Sequence, residues 1–425
     1  MAATQNKPAR IEEPFILTAM LSLLGGTLWM WVRYRQFLGY FYSPEFLAMT
    51  HVITLGFVTS LMMGVLLKLA PMSLEVHPRS ALLARAQFVM FFVGASGMVY
   101  HFWIAEWGGL AWATLLVLAA AIVQLYNFSA IWKRAVRGDW VARYVASSLI
   151  YLVLAATLGA LLGFNKGLAS GTGLLPAKFT SNLFAHVHLA GIGWVTMMIF
   201  GFLLKLVPTT RGRASTLPLR FWILQGGTIG LAGTLLADAP GQGPFALLLL
   251  VAIVWHAWGP VRAFVSGRAR EWEVTPLLIL CSAAIAGALL AWDVPPPENT
   301  FRIQLQFAYG YAGIFGWIVL TIATVAFKLF PIWVWQERFQ PEYGKIPVPG
   351  MKSLYNHRLR LLSNVLLTTG VVATVVGILA VRGEILVVSL GLVFAGGVSF
   401  AVNFFLMARW ALLGTEYHPP VAKAP

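Results

Sequence analysis

Apolar stretches of about 20 residues, separated by short polar connections, follow one another along the whole chain. They fall near 14–33, 46–70, 83–104, 110–132, 144–164, 180–207, 219–237, 243–264, 274–292, 303–330, 359–381 and 385–413. Crossing a bilayer core takes roughly 20 apolar residues. A lipid-exposed backbone must also satisfy its own hydrogen bonds, which leaves helices as the spanning form here. The pattern predicts an all-α integral membrane protein of about 12 transmembrane helices, with residues 1–425 forming a single transmembrane domain. The first stretch is too long for a signal-peptide core and lacks a small-residue cleavage site behind it, so it is read as a helix.

A repeat is laid over this pattern. Residues 51–71 read HVITLGFVTSLMMGVLLKLAP, 188–208 read HLAGIGWVTMMIFGFLLKLVP, and 311–331 read YAGIFGWIVLTIATVAFKLFP. Aligned without gaps, they share a glycine (Gly56, Gly193, Gly316), an aromatic after it (Phe57, Trp194, Trp317) and a closing Lys-Leu-x-Pro (Lys68 to Pro71, Lys205 to Pro208, Lys328 to Pro331). These are the second, sixth and tenth helices. Asn127, His256 and Asn403 form a second series, each six residues before a basic residue near the end of the fourth, eighth and twelfth. The expected organisation is three pseudo-repeats of four helices, 14–137, 144–270 and 274–414. Taken singly, each Lys-Leu-x-Pro reads as a lysine reaching the interface and a proline ending the helix.

Composition agrees with the membrane reading, because only 11% of the chain is charged against roughly 25% in soluble domains. Placing both termini in the cytoplasm assigns 24 of the 30 Lys and Arg residues to inner loops and tails. The other six are Arg33, Arg35, Lys166, Lys178, Arg302 and Arg382. That bias sets orientation and accounts for the net charge of +15 without nucleic acid; the expected partner is the lipid bilayer. Cys281 is the single cysteine, so no internal disulfide or Cys-built metal site can form, and with no CxxCH there is no covalently attached haem.

Three units of four helices, with the marked helices at positions two, six and ten, resemble subunit I of the haem-copper oxidase and nitric oxide reductase superfamily. The chain is similar in length and motif style to its short branches, the NnrS family and proteins like the C-type oxidase subunit I. The resemblance implies that helices two, six and ten are innermost. It also implies a bacterial inner-membrane location, haem b as cofactor with copper as a further metal, and a cytochrome or quinol partner.

Five histidines are placed at membrane depth: His51, His101, His186, His188 and His256. Neutral imidazole ligates haem iron, copper or zinc, and polar groups at this depth tend to be functional. His51 and His188 hold equivalent repeat positions, and Gly56 and Gly193 behind them would let a flat macrocycle approach. His186 and His188 lie about 200° apart on a regular helix, so they serve opposite faces. His51, His186, His188 and His101 are the candidate metal ligands, while His256, whose counterparts are asparagines, is read as structural. The same histidines also fit cross-helix hydrogen bonds with no ligand.

The chain departs from the oxidases in the tenth helix, where Tyr309 and Tyr311 stand in place of histidine. The helix after the sixth lacks histidine, and no carboxylate lies deep in any helix. The dinuclear oxygen-reducing site and its proton channel are therefore not expected, and whether the chain is an enzyme stays open, an oxidoreductase if it is one. The resemblance implies a role in nitric oxide or redox stress or denitrification; the alternatives are an electron-transfer or quinol-linked subunit and a protein that hands over metal or haem. Residues 332–358 are expected to form an interfacial docking loop, and 165–178 a flexible cap over the histidines.

Overall fold

A computed structural model describes residues 10–167, 173–175 and 178–412. His418, the last residues of the third unit and parts of the expected 165–178 cap lie outside the described residues. The twelve long helices are α1 (Glu13–Val32), α2 (Pro44–Leu74), α3 (Ala81–Trp103), α4 (Trp107–Asn127), α5 (Trp140–Gly167), α6 (Phe179–Leu206), α7 (Leu217–Leu236), α8 (Gln242–Val265), α9 (Glu271–Ala291), α10 (Thr300–Arg338), α11 (His357–Ala380) and α12 (Gly383–Trp410). Among the described residues, eleven are long and apolar enough to cross a membrane. The exception is α7, in which buried Arg220 and Gln225 and several glycines dilute the apolar content. The chain is a multi-pass membrane protein.

Helices close in sequence pack side by side: α3 on α4, α4 on α5, α7 on α8, α8 on α9, α11 on α12. The last helix returns to the first, α12 against α1, and closes the outer wall. At the centre stand α2, α6 and α10. They are the most buried spans, with 72, 67 and 72% of their apolar windows covered against 33–56% in the others. Leu66, Leu203 and Phe330 are among the side chains that surround a small apolar gap of about 90 Å³ between these three helices. Trp317 of α10 donates its indole N–H to Thr196 Oγ1 of α6 at 2.9 Å, satisfying a polar group that would be costly in this apolar centre.

The three central helices share a feature that apolar periodicity did not reveal. Each contains a π-helical segment: Val52–Thr59, Leu189–Thr196 and Ala312–Val319. Each starts one residue after His51, His188 or Tyr311, so the distortion keeps the register of the sequence match. Isolated π turns are rare and cluster at functional positions.

The glycines in these segments admit a neighbouring helix. A Cβ on Gly56 would fall 2.5 Å from Ser22 Oγ of α1, on Gly193 2.5 Å from the Tyr151 ring of α5, and on Gly316 2.4 Å from Ile279 of α9. The face expected to be open at Gly193 is filled by the Tyr151 ring, whereas Gly56, though close to Ser22, borders a cavity together with His51.

At the opposite ends of these helices the Lys-Leu-x-Pro segments behave differently from the simple reading. Pro71 and Pro331 lie inside continuous helices that run on to Leu74 and Arg338; only Pro208 follows a helix end, opening a short turn of helix. The lysines are pinned rather than loose. Lys68 pairs with Glu12 at 3.1 Å and with Glu337 of α10, and Lys205 of α6 donates to the Ser73 carbonyl of α2. Helix α10 therefore takes up the first part of the expected docking loop, and Trp335 ties the remainder down by donating to the Pro349 carbonyl at 2.9 Å.

Candidate functional site

The histidines of α2 and α6 sit near the ends of those helices that are remote from the lysines. His51 and His186 are each the eighth residue of their helix, about 12 Å in at 1.5 Å per residue.

His51 is held by its own helix. Its Nδ1 lies 2.7 Å from the Leu47 carbonyl. A carbonyl can only accept, so Nδ1 carries the proton of the neutral ring and Nε2 keeps its lone pair. The ring stacks on Phe102 of α3 at 4.7 Å and lines a cavity of about 510 Å³ between α1, α2 and α3. His186 is held by a neighbour: Nδ1 lies 2.9 Å from the Ala155 carbonyl of α5. Gly159 makes the room, since a Cβ there would come within 2.9 Å of the imidazole. His51 and His186 stand at the same depth in their helices. Among the described residues neither Nε2 has a hydrogen-bond partner. An imidazole fixed through Nδ1 with Nε2 free is the arrangement that metal-ligating histidines adopt.

His188 faces elsewhere. Its Nδ1 is 2.7 Å from the Phe184 carbonyl, and its Nε2 is 3.0 Å from the Tyr309 hydroxyl of α10. By the same proton count, Tyr309 donates and Nε2 accepts. The pair lines a second cavity of about 590 Å³, bordered by α2 and by α6 to α10. The wide angle between His186 and His188 thus becomes two environments on the two faces of α6. The sequence set His51 with His188 or its neighbour His186; the structure gives His188 to Tyr309 and leaves Nε2 of His51 and of His186 without a hydrogen-bond partner among the described residues. Tyr311, the repeat counterpart of both histidines, stacks on Phe315 at 4.7 Å and meets Phe37 edge-on.

Two other histidines have protein partners. His256 accepts from the Tyr144 hydroxyl at 2.8 Å, bonds the Ala252 carbonyl through Nδ1 at 2.7 Å, and stacks on Phe200 at 4.2 Å. Its sequence counterparts do related work. Asn127 exchanges two hydrogen bonds with the Ser80 backbone, and Asn403 exchanges two with the Asn356 backbone, each joining a helix to the N-terminus of the helix it packs on. His101 approaches Glu106 Oε2 at 2.7 Å, and its ring lies over Gly109. Glu106 also accepts from the N–H groups of Gly108 and Gly109, capping α4. Those backbone bonds, Gly109 first, hold its carboxyl below the usual range.

Among the described residues no three or more of His, Cys, Asp and Glu converge in a way that could hold a metal ion. What remains is a pair of imidazoles suited to a cofactor that brings its other ligands with it. No protein-family model matches the chain, and no curated protein sequence matches it.

Proposed function

We propose that this protein binds haem b in a bacterial inner membrane, with both termini cytoplasmic and the histidine ends of α2 and α6 toward the outside. The observation that carries the proposal is that His51 and His186 stand at the same depth in α2 and α6, each an imidazole oriented through Nδ1 with its Nε2 unengaged. Haem supplies four equatorial nitrogens, so two histidines complete its iron. That requirement fits a site where no third protein ligand converges. The bound group would provide one-electron chemistry or a place for a small diatomic molecule. The chain's own contribution is to orient both rings by carbonyl bonds and to keep them among apolar side chains.

The architecture supports kinship with oxidase subunit I through triplication of a four-helix unit. Helices α2, α6 and α10 are central, their π segments keep one register, and their glycines meet the first helix of each unit at the same place. On that basis the role is in handling nitric oxide or redox stress. Tyr309 and Tyr311 in α10 count against oxygen reduction at a dinuclear centre, because neither is poised as an imidazole would be. Copper finds less support than haem, since it would need more ligands from the protein.

The test is an optical spectrum. Protein purified from haem-replete cells should show the bands of a low-spin b-type haem. His51→Ala and His186→Ala should each remove them or convert them to high spin, while His188→Ala and His256→Ala should retain them. Well-folded wild-type protein without colour would overturn the proposal.

A further inference from the structure

The second cavity is built for a ligand of a different kind, and its case does not depend on haem. At about 590 Å³ it falls within the range of cavities that hold small organic ligands. Its depth is apolar, with Ile53, Ile192, Ile253 and Phe315 contributed by different helices, and Phe46 and Phe307 give it aromatic walls. Its charged rim is internally neutralised. Lys178 lies 3.8 Å from Asp238, and Arg302 lies 3.0 Å from Asp293 while also donating to the Pro295 and Leu290 carbonyls. The rim therefore offers no unopposed charge to an ionic ligand.

The wall carries several polar side chains, Thr50, Gln306 and Tyr311 among them, and in it the His188–Tyr309 couple has a fixed direction. His188 Nδ1 donates to Phe184, so Nε2 must accept from Tyr309. The Tyr309 hydroxyl hydrogen is committed to His188, so its oxygen remains as an acceptor in the cavity wall. At this point of the wall a ligand hydroxyl, which can donate, is favoured over a carbonyl, which can only accept.

We infer that this chamber binds an uncharged, hydroxylated aromatic amphiphile, its hydroxyl donating to Tyr309 and its rings lying among the aromatic and aliphatic walls. The same pair gives the ligand's hydroxyl an acceptor chain that runs through Tyr309 to His188.

The probe is 1-naphthol, compared with naphthalene and 2-naphthoate, with binding to purified protein read by equilibrium dialysis against matched empty micelles. Wild-type protein should retain 1-naphthol above the micelle background and about tenfold more tightly than naphthalene, the scale of one hydrogen bond made in an apolar site. Tyr309→Phe should erase that preference and leave naphthalene binding unchanged. Gly310→Leu provides the second variant. A Cβ at Gly310 would meet nothing within 4 Å, and the residue lines the chamber, so a leucine there should extend into the chamber without disturbing the helix. It should abolish retention of both neutral probes while melting temperature and any haem spectrum stay as in wild type. Equal retention of 1-naphthol by wild type and Gly310→Leu would place the ligand elsewhere and overturn the inference. Tighter binding of 2-naphthoate than of 1-naphthol would show that the basic rim residues do the recognition, and would overturn it equally. Because haem is read by colour and this site by dialysis, failure of one is distinct from failure of the other.

Discussion

The two ends of the central helices were built under different rules. At one end α2, α6 and α10 carry the same Lys-Leu-x-Pro segment, and two of the lysines are seen tied to a neighbouring central helix: Lys68 to α10, and Lys205 to α2. At the other end the residues aligned with one another are His51, His188 and Tyr311, and each has a separate environment. His51 borders a cavity at α3, His188 faces Tyr309, and Tyr311 is packed between aromatic rings. The π segments stand directly between the two ends. Sameness marks the frame and difference marks the chemistry. Substitutions at the lysine end should therefore cost stability, and those at the histidine end should cost ligand.

The largest effect is expected at Lys68. Its partner Glu12 is only 2% exposed, and Lys68→Met would leave that carboxylate without a counter-charge. Breaking a buried pair from one side costs roughly 3–5 kcal/mol; with the Lys68 side chain 24% exposed, about 3 kcal/mol is expected. Thermal or denaturant unfolding in detergent would measure it, and adding Glu12→Gln should restore much of the loss. His51→Ala, which breaks no ion pair, should lower stability less. If the two variants were equally destabilised, the division between frame and chemistry would fail.

A smaller effect should separate two glycines within one π segment. Gly193→Ala sets a methyl group against the base of the Tyr151 ring, whereas a Cβ at Gly191 meets nothing within 4 Å. Overpacking of this sort costs roughly 1–3 kcal/mol. The first variant should be destabilised by that amount and the second should behave as wild type. Equal behaviour would mean that the close approach of α5 is not part of the frame.

How legible this was from sequence differs in the same way. Helix positions followed from apolar length, and the expected bounds lie within a few residues of the observed ones for most helices. The exceptions are physical. Helix α10 continues past Pro331 because the chain beyond, through Trp335 and Phe339, folds back onto it instead of leaving the bundle. The π segments were hidden because a run that is apolar on all sides has no periodicity from which to read a changed pitch. The lysine ties were hidden because Glu337 lies 269 residues from Lys68. Among the site candidates, depth along the helix could be counted, so the layer of His51, His186 and His188 was visible. Azimuth across helices could not be counted, and the seat of His186 against the Ala155 carbonyl and the pairing of His188 with Tyr309 needed coordinates. Gly159 was a signal of a kind, since a small residue in α5 opposite a histidine makes its seat, but many of the 40 glycines look alike in sequence.

The smallest effect concerns acid, at the loop joining α3 to α4 on the histidine side. Glu106 accepts from the N–H groups of Gly109 and Gly108 and approaches His101 Nδ1 at 2.7 Å. Its folded carboxyl is held below the ordinary value of 4.5, chiefly by the Gly109 bond. For a depressed acid the sign is definite: the ionised cap contributes stability above the unfolded pKa and loses it as pH falls from 4.5 through the lower folded value. His101, Gly108 and Gly109 are the groups that face the carboxylate, and at neutral pH the cap is complete whether or not the imidazole is charged. Glu106→Gln keeps an acceptor oxygen but cannot ionise. The variant should therefore be slightly less stable than wild type at pH 7, and that gap should narrow as pH falls below 4.5. Hydrogen exchange of the first turn of α4 would report it most directly, because the capped N–H groups belong to that turn. A gap that stayed constant down to pH 3 would show that the carboxylate's charge does not hold the cap, leaving His101 over Gly109 as the feature that fixes the loop.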